Sequence, residues 1–232
     1  MATTITYGKK LADFDNFAQF DGKTLAISKL DDETFSWKDK DGTSMVFEGE
    51  NFAKTQGVIT DGTIESAEFF NNKGQRIYTF DNLDVDAAEL FKTFSFNKDP
   101  IRILHGLMDG DDTVTGSAKK DSMWGFGGND TLKGAGGNDW LYGHRGDDIL
   151  TGGAGADTFA FLTGYDNDTV TDFDLTGADH DFIYIDYYLY KDLVFTQDGA
   201  NLILELSTGD TLTLENVTQA QIDGKDKYFD FF

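Results

Sequence analysis

The chain has 232 residues, enough for one or two domains with a sizeable core. Its formal net charge of -23 argues against nucleic acid and anionic membrane surfaces as partners. With no cysteine there are no disulfides or thiolate metal sites, and no apolar run approaches the length of a transmembrane helix.

The start, MATTITYGKK, has no apolar h-region, so no cleaved N-terminal signal is expected. Residues 1–105 read as a β-rich region. Short apolar runs fall at Leu25–Ile27, Phe35–Trp37, Met45–Phe47, Val58–Ile59, Ile64–Phe70 and Ile77–Phe80. Asp-Gly recurs at 21–22, 41–42 and 61–62. That spacing fits either hairpin turns of an antiparallel meander or coils of a parallel solenoid, with a slight lean to the solenoid. Residues 85–94 suit a short helix with Asp84 as N-cap, ended by Asn97–Pro100. Phe14, Phe17, Phe20, Phe69 and Phe70 are assigned to core packing rather than to a ligand cleft.

From Leu107 to Ala160 an aspartate recurs every nine residues: Asp112, Asp121, Asp130, Asp139, Asp148 and Asp157. Two residues after each comes an apolar side chain: Val114, Met123, Leu132, Leu141, Leu150 and Phe159. Glycine fills most positions just ahead of the aspartates. Such a period describes stacked units that cannot bury an apolar face alone. Each unit pairs a glycine turn with a short strand carrying one inward side chain, and two units make one coil. Asp112, Asp130 and Asp148 then line one edge, and Asp121, Asp139 and Asp157 the other. Carboxylates stacked about 4.8 Å apart repel, so a cation is expected between them. Carboxylates and turn carbonyls suit calcium; magnesium demands a tighter octahedron, and zinc or copper would lack ligands.

The units GFGGNDTLK, GAGGNDWLY and GGAGADTFA resemble the RTX calcium-binding nonapeptide, GGxGxDxUx. GHRGDDILT has Arg145 at a glycine position but keeps Gly146. LMDGDDTVT lacks the first two glycines and GSAKKDSMW has Lys119 at the fourth position, so these two units are expected to bind weakly or to act partly as a cap. The resemblance implies several Ca2+ ions held by the six aspartates and Asp168, with turn carbonyls at positions one, three and four. Those positions are Gly125, Gly127 and Gly128; Gly134, Gly136 and Gly137; Gly143, Arg145 and Gly146; and Gly152, Ala154 and Gly155. It also implies a right-handed parallel β-roll, a β-solenoid, over residues 106–174.

After Ala160 the phase slips. Asp168 follows Asp157 by eleven residues, with Val170 in the apolar place: an insertion of two, or the last turn opening into a cap. DFDLTGADHDFIYID resembles the segment that closes such arrays. Asp172, Asp174, Asp179 and Asp181 are read there either as a further calcium site or as solvated acids. Residues 175–232 are expected to form a C-terminal β cap, with three strands within LVFTQDGANLILELSTGDTLTLENV. The ending DGKDKYFDFF resembles the uncleaved export signal of substrates of the type I secretion machinery; a strand docked on the cap is the alternative.

No HExxH or GxSxG occurs, and His105, His144 and His180 are scattered. The expected protein is all-β, secreted and extracellular, folding when it meets calcium. It is expected to be a non-enzymatic structural or adhesive component of a matrix, biofilm or cell surface that engages extracellular polysaccharide or self-associates. The alternative is a calcium-dependent glycan-binding module using an outward Trp140, or a polysaccharide-active enzyme or its accessory module.

Overall fold

A computed structural model describes residues 108–222, 224 and 226–231, and of the earlier part 4–7, 26–30, 33–38, 42, 44–55, 58–70, 73–74, 76–88 and 90. The chain divides into two compact units, residues 1–110 and 111–232.

In the first unit six strands form an antiparallel sheet in the order β1-β6-β5-β4-β3-β2. They are β1 (Thr4–Tyr7), β2 (Ala26–Leu30), β3 (Thr34–Lys38), β4 (Ser44–Thr55), β5 (Val58–Phe70) and β6 (Arg76–Asp86). Period-two alternation puts Phe35, Met45, Phe47, Ala67 and Phe69 on one face, all buried. Cross-strand partners form rows, Phe35 beside Phe47 beside Ala67, and Met45 beside Phe69. The Phe35 and Phe47 rings stack at 4.5 Å and Phe52 meets Phe35 edge-on at 4.9 Å. Phe69 is therefore a core residue.

This meander corrects the lean toward a solenoid. Of the described glycines in these dipeptides, Gly42 lies between β3 and β4 with φ 101°. Asp61–Gly62 lies inside β5, opposite a bulge at Glu50–Ala53. Gly62 is glycine because a Cβ there would strike the Phe52 ring, so the dipeptide makes room for a side chain instead of reversing the chain. Asp84 and Val85 are likewise strand residues of β6; Ala87, Ala88 and Leu90 are helical. Asp84 is thus no N-cap, because the ladder to β5 continues through Asp86 opposite Thr63. Asp21–Gly22, Phe14, Phe17, Phe20, residues 91–94 and Asn97–Pro100 lie outside the described residues.

The second unit is a parallel β-roll of two sheets. Strands β7 (Thr113–Thr115), β9 (Thr131–Lys133), β11 (Ile149–Thr151) and β13 (Asn167–Val170) alternate along the chain with β8 (Ser122–Gly127), β10 (Trp140–Arg145), β12 (Thr158–Ala160) and β14 (Phe182–Ile185). Each set pairs in parallel with its own kind. The registers stack Val114, Leu132, Leu150 and Val170 in one inward column, and Met123, Leu141, Phe159 and Ile183 in the other; none is exposed.

The slip after Ala160 is an insertion of two, absorbed in the turn. Leu150 still pairs with Val170, so β13 is a full rung. Parallel pairing also continues past residue 174: β14 joins β12, β17 (Thr211–Leu214) joins β13, and β18 (Phe229–Phe231) joins β14. Longer connections replace the glycine turns there, which hides the rungs from a nine-residue count. The three cap strands form as expected: β15 (Val194–Asp198) and β16 (Asn201–Glu205) continue antiparallel from β17. Two one-turn helices, α1 (Tyr187–Tyr190) and α2 (Gln219–Ile222), complete this unit. No helix among the described residues is long and apolar enough to cross a membrane.

Candidate metal centre

The aspartate after each turn is buried at the edge between the two sheets. Asp112, Asp121, Asp130, Asp139, Asp148, Asp157 and Asp168 are all at most 2% exposed, although each is a carboxylate. The repeat explains it. The strand's first residue starts the ladder, and its inward neighbour draws the preceding aspartate below the surface.

One oxygen of each carboxylate has a fixed task. Asp130 Oδ1 accepts from the Asp112 N–H at 2.7 Å, Asp148 Oδ1 from Asp130 at 2.7 Å, and Asp168 Oδ1 from Asp148 at 3.1 Å. On the other edge Asp139 serves Asp121 at 2.7 Å, Asp157 serves Asp139 at 2.8 Å, and Asp181 serves Asp157 at 2.9 Å. The two columns expected from the spacing are therefore present, and each aspartate from Asp130 onward reaches back one coil.

The second oxygen has no such task. Oδ2 of Asp130, Asp139, Asp148, Asp157 and Asp168 is buried with no hydrogen-bond partner. A buried anionic oxygen without a partner is strongly unfavourable, so it takes a proton or a cation. Burial is the main reason these groups bind protons too tightly. It raises Asp130 to about 8, Asp139 to about 7, Asp148 to about 7 and Asp168 to about 9. Carboxylates of the same column add to the rise in Asp130 and Asp139, and Asp147 and Asp166 add to it in Asp148; the backbone hydrogen bond opposes it in all three. Asp157 is raised for the same first reason.

The glycines complete the cradle. A Cβ on Gly125, Gly134, Gly143 or Gly152 would fall on Oδ2 of the aspartate five residues later. Position-one glycine is thus required for space beside the orphaned oxygen. Position four is required for conformation as well: Gly128, Gly137, Gly146 and Gly155 have φ of 113°, 115°, 119° and 131°. Of the third-position residues, Gly136 bridges Ala154, while the Arg145 and Ala154 carbonyls accept from Gly128 and Gly137, leaving a second lone pair. Arg145 contributes main chain to the turn, so its side chain does not break the pattern, and Gly127 occupies the same place in its own unit.

This donor set fits a hard divalent cation. It consists of carboxylate and carbonyl oxygens, with no nitrogen or sulfur donor. Among the described residues no three carboxylate or imidazole side chains converge on a point, so any ion here also needs the turn carbonyls.

The ends of the ladder differ. In the Gly116–Trp124 repeat, which lacks the fourth-position glycine, the Ser117 N–H donates to Asp121 Oδ2, and it is Oδ1 that is buried without a partner. At the far end Asp181 Oδ1 accepts from Asp157, and its Oδ2 from the Asp174 N–H at 2.8 Å. Asp172 accepts from the N–H groups of Gly152 and Gly153, both at 2.9 Å. Asp174 accepts from Thr176, and Asp179 is exposed. Asp172 and Asp181 thus close the roll, and Asp179 is not drawn into them.

Two features were not foreseen. Fifth-position side chains make their own ladder: Asp111 accepts from the Asn129 N–H, Asn129 from Asp147, and Asp147 from Asn167. Its signal was the Asn or Asp just ahead of Asp112, Asp130, Asp139 and Asp148. Second-position residues Phe126, Ala135 and His144 adopt φ of 74°, 72° and 72°, where the consensus has glycine. The Phe126 and His144 rings stack at 5.7 Å, which offsets part of that strain.

The profile of the RTX calcium-binding nonapeptide repeat (4 copies) matches residues 108–141, 124–159 and 133–168. Repeats of this kind bind several calcium ions. Among curated proteins none matches the chain. Similar solved structures include the AlgE6R3 subunit of the Azotobacter vinelandii mannuronan C5-epimerase. It is 28% identical, covers 53% of this chain and 80% of that one, and has a TM-score of 0.42. The extracellular lipase LipA from Serratia marcescens is 18% identical, with a TM-score of 0.44; the match covers 99% of this chain but only 34% of the lipase.

Proposed function

Starting from an RTX calcium-binding array over residues 108–168, we propose that this is a secreted protein whose roll folds on calcium outside the cell. It leaves by the type I secretion machinery and serves as a non-enzymatic structural or adhesive component of a matrix, biofilm or cell surface. The observation that carries the reading is the file of buried Oδ2 atoms without partners. At neutral pH and without a cation, these sites oppose the fold that creates them. Extracellular calcium modules work at Kd of about 10⁻⁴–10⁻³ M, far above cytosolic calcium. With free calcium ~100-fold above Kd, each occupied site adds about 2.7 kcal/mol to the folded state. Ligation by Gly125–Asp130, Gly134–Asp139, Gly143–Asp148 and Gly152–Asp157 belongs to this proposal.

The glycan-binding alternative would use Trp140 as a sugar platform. Trp140 does face outward, half-buried. Yet its ring stacks on Tyr142 at 5.9 Å and meets Tyr184 edge-on at 5.2 Å. Those contacts turn it toward its own sheet and favour a structural role.

Circular dichroism of the full chain in calcium and in EDTA tests the main reading. A gain of β signal on adding calcium is expected, and identical spectra would remove calcium-driven folding. Saturable glycan binding lost in Trp140→Ala would instead support the alternative.

A further inference from the structure

The roll ends on β15, and that strand is an open edge. Among the described residues it is bonded on one side, to β16. Val194 is 52% exposed, and Thr196, Gln197 and Asp198 are exposed too. Soluble proteins usually blunt such edges with lysine, proline or a bulge. Here the sequence Val-Phe-Thr-Gln-Asp has no lysine or proline, and its register against β16 runs from Val194 to Asp198 without a shift. The strand is also held in place. The Gln197 amide donates to the carbonyls of Asn201 at 2.8 Å and Val217 at 3.3 Å, and its oxygen accepts from the Gln219 N–H at 2.8 Å.

We infer that β15 is a homotypic docking edge, pairing antiparallel with β15 of a second copy about a two-fold axis through Thr196. The strand's own sequence selects this occupant. With the axis at its midpoint, Thr196 lies opposite Thr196 of the partner copy, a favourable cross-strand pair. Phe195 then lies opposite Gln197, and Val194 opposite Asp198. No like charges oppose one another, which matters for a chain of net charge -23. The same operation at β18, which ends the other sheet, sets Asp230 against Asp230 and is disfavoured. A two-fold contact is self-complementary and closed, so the product is a dimer rather than a growing fibre. The edge exists only in the folded roll, so the inference rests on the calcium-folding reading above.

Sedimentation equilibrium of the full chain in calcium, with circular dichroism on the same samples, tests it. The wild type is expected to sediment as a monomer–dimer equilibrium. Thr196→Lys and Thr196→Asp each place like charges across the axis and should each sediment as monomers with an unchanged spectrum. An equimolar mixture of the two variants should recover the dimer. A wild type that folds with calcium yet stays monomeric overturns the edge pairing alone, as does a Thr196→Lys variant that still dimerises. A chain with no calcium response overturns the folding reading, and the pairing with it.

Discussion

The two oxygens of one aspartate carry opposite consequences. In Asp139, Oδ1 accepts from Asp121 while Oδ2 is buried without a partner. Protonation relieves Oδ2 when calcium is absent. The folded-state pKa is raised from 3.8 to about 7 in Asp139 and Asp148, about 8 in Asp130 and about 9 in Asp168. A raised carboxylate stabilises the metal-free fold fully below its unfolded value, and that contribution is lost as pH climbs through the folded value. In EDTA, β signal should therefore grow as pH is lowered from about 9 towards about 5, across the raised values. A metal-free spectrum indifferent to pH over that window would contradict the assignment. In calcium the sign reverses, since protons compete for the same oxygens and apparent affinity falls on acidification. Space around Oδ2 gives a second expectation. Gly134→Ala sets a methyl against Asp139 Oδ2 and, at 2.5 Å, the Gly152 carbonyl. It should cost about 1–3 kcal/mol in denaturant titrations with saturating calcium. Gly136→Ala meets nothing nearer than 3.7 Å and should stay within about 0.5 kcal/mol.

At the scale of the element, units with the same aspartate differ in worth. The Gly134–Tyr142 unit leaves its Oδ2 for an ion, whereas the Gly116–Trp124 unit turns its Ser117 N–H onto Asp121 Oδ2 and leaves Oδ1 as the atom without a partner. Titration calorimetry should find fewer calcium ions bound by Asp139→Ala and an unchanged number in Asp121→Ala; equal losses would refute the distinction. The difference was visible in the sequence as Lys119 at the fourth position, because only glycine takes that turn cheaply. Other elements were not visible. Asp-Gly at 61–62 looks like a turn because the dipeptide reports local backbone freedom. Whether that freedom reverses the chain or admits a ring such as Phe52 depends on a strand that pairs from a distance. The helix expected to start after Asp84 starts later for a similar reason, since β5 extends the ladder through Asp86 and the helical residues begin at Ala87.

Across the whole molecule, the columns were legible because one residue type recurs at one offset. The rung at Asp168 was legible as one of two readings, an insertion of two; the rungs beyond it were not, because the partner of Asp157 follows at 24 residues rather than 18. The first unit has no period, so composition gave its strands but not their direction.

The two side-chain ladders run in opposite senses. At position six the N–H of a residue reaches a side chain 18 residues ahead, and at position five one 18 residues behind. Each coil is thereby keyed to the coil before and the coil after, but only in steps of two nonapeptides. Growth and loss of such an array by recombination should respect that quantum. Excising residues 125–142 joins Trp124 to Gly143 and returns every downstream strand to its own sheet. Excising residues 125–133 delivers each to the opposite sheet and sends β17 to the face built for β18. The first variant should keep a cooperative calcium-dependent melt, and the second should lose it; a nine-residue deletion that still melts cooperatively would show that the sheets are interchangeable.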